Sequence, residues 1–130
     1  MSGLNSRYNR IVWCDIPVAD LERASAFYRA VLAIKVERME FGGGAFALLE
    51  HDQGNGACLL PQTGYAGRID GPLIYFNCDG RLPEAVAEVE AGGGRIIEAV
   101  HAIGPHGLRA IVADSEGNRS ALHSSAAASA

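Results

Sequence analysis

With 130 residues, 48 % of them apolar and 20 % charged, the chain has the composition of one globular domain, or two small modules sharing a core, and needs no metal or disulfide to fold. Eleven basic against fifteen acidic residues leave a net charge of −4, with the arginines scattered, which excludes the basic surface that nucleic acid requires. No apolar run nears the roughly 18 residues of a membrane span, and Met1-Ser2-Gly3-Leu4-Asn5-Ser6-Arg7 lacks the apolar centre of a signal peptide, so the expectation is a cytoplasmic protein with no membrane partner.

Residues 11–16 suit a strand that ends at Pro17, which has no N–H for a ladder. The period then changes: Asp20 can cap a helix, and Leu21, Ala24, Phe27, Tyr28, Val31 and Leu32 recur on one helical face. Because strand side chains alternate between faces, Val12, Cys14 and Ile16 beneath that helix would send Trp13 and Asp15 to the opposite face. A carboxylate on a concave sheet face is a candidate ligand contact; a solvated sheet edge is the plainer reading of Asp15.

Next come strands at 34–39 and 45–50 about a Gly42-Gly43-Gly44 turn, and one at 57–60 opened by Gly54-Asn55-Gly56. A linker at 62–71 leads to a strand at 73–78. A helix follows at 83–91, with Pro83 at its start and Gly92 as its stop, and then strands at 95–100, 108–113 and 119–123. The order β-α-β-β-β thus occurs twice, and Gly54-Asn55-Gly56-Ala57-Cys58-Leu59-Leu60 lines up with Gly117-Asn118-Arg119-Ser120-Ala121-Leu122-His123. Repetition of one supersecondary unit implies that neither copy buries its sheet alone. The expected fold is α+β, two βαβββ modules (8–61 and 72–123) forming one curved mixed sheet around a shared cleft, with an N-terminal extension at 1–7 and a flexible tail at 124–130. Cys14, Cys58 and Cys78 are odd in number and lack CxxC spacing, which fits reduced thiols.

Ile16-Pro17-Val18-Ala19-Asp20 followed by Phe27-Tyr28 and Val31-Leu32, then Tyr75-Phe76-Asn77 with Gly92-Gly93-Gly94, and Asp114-Ser115-Glu116-Gly117-Asn118-Arg119 before the last strand, resemble the vicinal oxygen chelate superfamily. That superfamily includes glyoxalase I, bleomycin- and fosfomycin-resistance proteins and extradiol dioxygenases. The resemblance covers about residues 8–123 and is nearest to short bacterial glyoxalase-like proteins. One departure is Ala33, where the pattern usually has Gly; a left-handed Ala there costs about 1 kcal/mol.

The resemblance implies a divalent metal in the cleft at positions that hold Trp13, Cys58, Leu73 and Ala121, with Tyr75 an alternative to Leu73. Only Cys58 among these can donate to a metal, so the expectation is no metal and no cofactor. A displaced site drawn from His51, His101, His106 and His123 with Asp15, Glu50 and Asp52 lacks a metal-binding spacing. Strand parity adds Asp15, Tyr75, Asn77, Arg119 and His123 to Trp13 and Cys58 as ligand-binding candidates. Two readings follow: a metal-free binder of a small organic molecule, or a lyase or isomerase of the glyoxalase type. The second is either cofactor-free, with Asp15 and His123 as acid and base, or metal-dependent through ligands not recognised. The resemblance and the open sheet edges both imply a homodimer.

Overall fold

Asp20 begins the first helix as read from the sequence: its backbone is extended and its Oδ1 accepts from the Arg23 N–H at 3.0 Å. The structure, a computed structural model, describes residues 7–125, so the N-terminal extension and the tail lie outside the described residues except for Arg7, Ser124 and Ser125. The elements are β1 (Trp13–Val18), α1 (Leu21–Leu32), β2 (Val36–Phe41), β3 (Gly44–Leu49), β4 (Gly56–Pro61), β5 (Ile74–Asn77), α2 (Leu82–Ala91), β6 (Arg95–Ala102), β7 (Leu108–Ala113) and β8 (Arg119–Ser124). None of the described helices is long and apolar enough to cross a membrane.

Hydrogen bonding forms two four-stranded mixed sheets with the same order, β1-β4-β3-β2 and β5-β8-β7-β6. In each, the first and last strands of the module pair in parallel and the remaining pairs are antiparallel. The register sets Asp15 beside Cys58 and Tyr75 beside Ala121. Pro17 lies inside β1 rather than beyond its end, which an edge strand with only β4 as partner tolerates. Val12 precedes β1 and is exposed, so only Cys14 and Ile16 of the expected inward set pack on the core, joined by Val18.

The core runs through both modules. Phe27, Tyr28 and Val31 of α1 are buried together with Leu82, Ala85 and Val89 of α2, and the helices pack on each other. Gly94 keeps this contact close, since a Cβ there would stand 2.3 Å from the Ala113 carbonyl and 2.8 Å from the Phe27 ring. Gly92 caps the end of α2 as expected, with φ −88°, and the left-handed residue is the next one, Gly93 (φ 97°). Ala33 does adopt the left-handed conformation, φ 56° and ψ 48°.

The turn before β8 clasps the first module. Asp114 Oδ2 accepts from the buried Tyr28 hydroxyl at 2.5 Å, and Asp114 Oδ1 accepts from the Glu116 and Asn118 amides at 2.8 and 2.9 Å. Glu116 Oε1 accepts from the Ala19 and Asp20 amides at 2.9 and 2.8 Å, and its carboxylate takes both Arg23 Nε and Arg23 Nη2. A carboxylate at free helix N–H groups is electrostatically favoured. Burial works against the Glu116 charge, yet Arg23 and these amides hold its carboxyl at about 2, while burial pushes Asp114 up from the usual carboxylate range.

Candidate functional site

Between edge strands β1 and β5 lies a cleft of about 750 Å³, within the ordinary range of small-molecule sites. Trp13 and Asp15 line it from β1, Tyr75 and Phe76 from β5, Leu73 just before β5, and Arg119 from β8, with Tyr28 reaching it from α1. Residues of both parities on β1 reach this gap between the sheet edges: Cys14 and Ile16 line it from the helix side, and Trp13 and Asp15 from the opposite face to which alternation turns them.

Trp13 is positioned by two neighbours. His51 stands edge-on to it, ring centres 5.2 Å apart, in space left by Gly56, where a Cβ would come 2.7 Å from the His51 side chain. Its indole N–H is held toward the Cys58 sulfur, and the Cys58 thiol donates to Asp15 Oδ1 at 3.3 Å. Trp13, Cys58 and Asp15 therefore stand together, with the Cys58–Asp15 hydrogen bond at their centre. Burial, with the Asp15 hydrogen bond adding to it, pushes the Cys58 thiol up to about 11, so it is a neutral donor at physiological pH.

Arg119 Nη2 donates to the Gly71 carbonyl at 3.1 Å. Its Nε is buried without an acceptor, the one such side-chain atom among the described residues. No carboxylate lies within ion-pair distance of this guanidinium among the described residues.

Of the ligand-binding residues expected from sequence, Trp13, Asp15, Tyr75 and Arg119 line the cleft. Cys58 lies behind Trp13 and Asp15 and does not line it. Asn77 and His123 are also outside the lining, because they pair with each other at the C-terminal end of β5, past the stretch that faces β1. Asn77 Oδ1 instead accepts from the Asp79 amide at 2.9 Å. His123 Nε2 donates to the His106 carbonyl at 2.7 Å, and its ring stands edge-on to Tyr75 at 5.9 Å. No hydrogen bond or ion pair joins Asp15 to His123 among the described residues, so the expected acid-base pair is not assembled here.

The positions assigned to a metal by resemblance do not fit one. Leu73 and Ala121 have no lone pair, the Trp13 indole only donates, and the Cys58 thiol is neutral and already bonded. Among the described residues no three His, Cys, Asp or Glu side chains gather as a metal site. Cys14, Cys58 and Cys78 are all free thiols.

Sequence reading omits Arg109, which reaches Tyr75 and His101 on the second sheet. Parity along β7 is the signal that finds it, since Ala110 and Val112 pack in the core and Arg109 falls on the other face.

Comparison with known proteins agrees with this architecture. Residues 10–50 match the family described as bleomycin resistance protein-like N-terminal. No curated protein matches the sequence. A glyoxalase/bleomycin resistance protein/dioxygenase family enzyme from Burkholderia phytofirmans PsJN superposes with a TM-score of 0.65 at 20 % identity, over 87 % of this chain and 96 % of that one. A glyoxalase/bleomycin resistance protein from Albidiferax ferrireducens T118 gives 0.68 at 18 % identity, over 86 % and 95 %. The genomically encoded fosfomycin resistance protein of Listeria monocytogenes, solved as a single-site mutant with Mn(II) and 1S,2S-dihydroxypropylphosphonic acid, gives 0.65 at 14 % identity, over 89 % and 92 %. The chain therefore has the fold of the glyoxalase/bleomycin resistance/dioxygenase proteins. Within that fold, residues 10–50 of the first module are similar to the bleomycin resistance protein-like N-terminal family.

Proposed function

We propose that the protein binds a small organic molecule in the β1/β5 cleft without a divalent metal. The observation that carries this reading is the wall chemistry: Trp13, Leu73, Tyr75 and Phe76 offer an apolar and aromatic surface, and Arg119 Nε lacks an acceptor beside it. Asp15, with Oδ1 taken by Cys58, keeps its second oxygen for a donor on the ligand.

Trp13 is the single tryptophan, so its fluorescence reports on this cleft alone. Titration with a panel of small aromatic and antibiotic-like compounds should yield saturable quenching for a subset, and Tyr75→Ala should weaken those about tenfold, on the order of 1.4 kcal/mol. No quenching by any compound, or equal affinity in Tyr75→Ala, overturns the assignment.

Elemental analysis of untagged protein, with thermal shifts in zinc, nickel and manganese, tests the metal-free part; a stoichiometric metal that stabilises the fold would refute it. Turnover of glutathione hemithioacetals with and without those metals separates binding from catalysis.

The homodimer belongs to the same reading. Met39 and Phe41 expose apolar side chains on edge strand β2, and Phe41 is 83 % exposed. Light scattering at micromolar concentration should give twice the chain mass. The free thiols support a reducing, cytoplasmic setting.

A further inference from the structure

The second sheet carries a polar row that lies outside the cleft lining. Cross-strand register places His101, Arg109, His123 and Asn77 side by side on β6, β7, β8 and β5. Arg109 Nε donates to His101 Nε2 at 3.0 Å. His101 Nδ1 in turn donates to the Ala99 carbonyl at 2.9 Å, so the ring is the neutral tautomer with its proton on Nδ1. Arg109 Nη1 donates to the Tyr75 hydroxyl, and the guanidinium carbon stands 5.9 Å from the centre of the Tyr75 ring.

Both partners of Arg109 are therefore neutral. No carboxylate lies within ion-pair distance of it among the described residues; Glu98 stands 3.8 Å from His101 Nε2 and is itself well solvated, and Asp79 lies on the His123 side of the row. A guanidinium has five N–H donors, of which two are used here, and the Tyr75 hydroxyl, having accepted from Arg109, keeps its own proton to donate. The side chain is thus a half-buried cation, pre-oriented by two hydrogen bonds, with donors left over and no counter-charge. A planar fork in that state matches the two oxygens of an oxyanion.

We propose that Arg109 and the Tyr75 hydroxyl form an oxyanion-binding site on the open face of the β5-β8-β7-β6 sheet, for the carboxylate or phosphate group of a small organic molecule. Arg109 supplies paired N–H donors and the charge, His101 holds the guanidinium from behind through Nε, and Tyr75 adds an O–H. Tyr75 is shared with the cleft, but Arg109 and His101 do not line it, so the Arg109 variants separate this site from the cleft reading.

The test is a titration followed through the arginine Nε–Hε NMR signals, at constant ionic strength, with inorganic phosphate, sulfate and benzoate as probes. The expected result is a saturable shift confined to Arg109 with at least one probe. The phosphate and benzoate arms decide which oxyanion class is preferred. Followed in the variants through the backbone amide signals of β7 and β8, Arg109→Gln should weaken binding at least tenfold, Arg109→Lys should recover part of it, and Tyr75→Phe, a change that leaves the ring packing intact, should weaken it about threefold. Shifts that do not saturate and are shared by exposed arginines such as Arg38 and Arg68, or equal affinity in Arg109→Gln and Tyr75→Phe, would overturn the proposal.

Discussion

The two modules share a strand order and differ in how they treat the same structural positions. Each has a Gly-Asn turn before its last strand, and both asparagines reach back to the ends of β1: Asn55 Nδ2 donates to the Ile11 carbonyl just before the strand, and Asn118 Nδ2 to the Pro17 carbonyl within it, at 2.9 Å. Only the second-module turn goes further, placing Asp114 on Tyr28 and Glu116 on the start of α1. The helices show the same inequality. The N-terminus of α1 has Asp20 and Glu116, whereas α2 starts at Arg81 with no side-chain cap and relies on Pro83. On the sheet faces, the first module sets a neutral thiol, Cys58, against the Asp15 carboxyl group beside Trp13, and the second a cation held by neutral groups, Arg109 between His101 and Tyr75. A duplicated backbone thus supplies the scaffold, and the stabilising clasp and the proposed ligand contacts come from positions where the copies diverge.

If the clasp is what unites the modules, Asp114→Ala should be the most damaging single change. It strands the buried Tyr28 hydroxyl and the amides of Glu116 and Asn118, for an expected loss of about 3 to 4 kcal/mol in urea denaturation. A loss below about 1 kcal/mol, the net worth of one ordinary hydrogen bond, would break the comparison.

Glu116→Gln should cost about 2 kcal/mol at pH 7 and change the pH profile. The carboxyl is held at about 2 against an ordinary 4.5, so its contribution is complete above pH 4.5 and fades as the pH falls toward 2. The variant should therefore lose stability less steeply across that interval. Asp114, pushed upward by burial, works in the opposite direction, being favoured once protonated; an unchanged acid limb in Glu116→Gln would show that the clasp is not electrostatic.

The helix ends sharpen the contrast at smaller scale. Ala33→Gly should stabilise by up to about 1 kcal/mol by removing the left-handed alanine at the end of α1. The matching residue after α2, Gly93, already has that freedom, so Gly93→Ala should lose a comparable amount, both measured as shifts in Tm. The smallest effect expected is chemical: alkylation of Cys58 at pH 8 should be at least tenfold slower in the folded protein than in urea, read by mass spectrometry.

Local pattern carried most of the fold. Period-2 and period-3.6 spacing placed the eight strands and two helices, Asp20 announced its own cap, and the repeated Gly-Asn turns revealed the duplication. The cleft was legible where parity along one strand sufficed, at Trp13, Asp15 and Tyr75. It failed for His123 because parity fixes the face of a strand but not the distance along it, and Asn77 pairs with His123 beyond the cleft. It failed for Cys58 because facing a side does not mean reaching the surface, and Trp13 and Asp15 cover the thiol.

By itself the sequence determined the secondary structure and its duplication, since these depend on near neighbours in the chain, and the left-handed Ala33 was legible only through the resemblance. Tertiary structure alone decided that Asp114 meets Tyr28 across 86 residues, that Arg23 closes on Glu116 across 93, and that Arg109 finds Tyr75 rather than an acid. Such pairings depend on how two modules dock through α1 and α2, and no local spacing encodes that geometry.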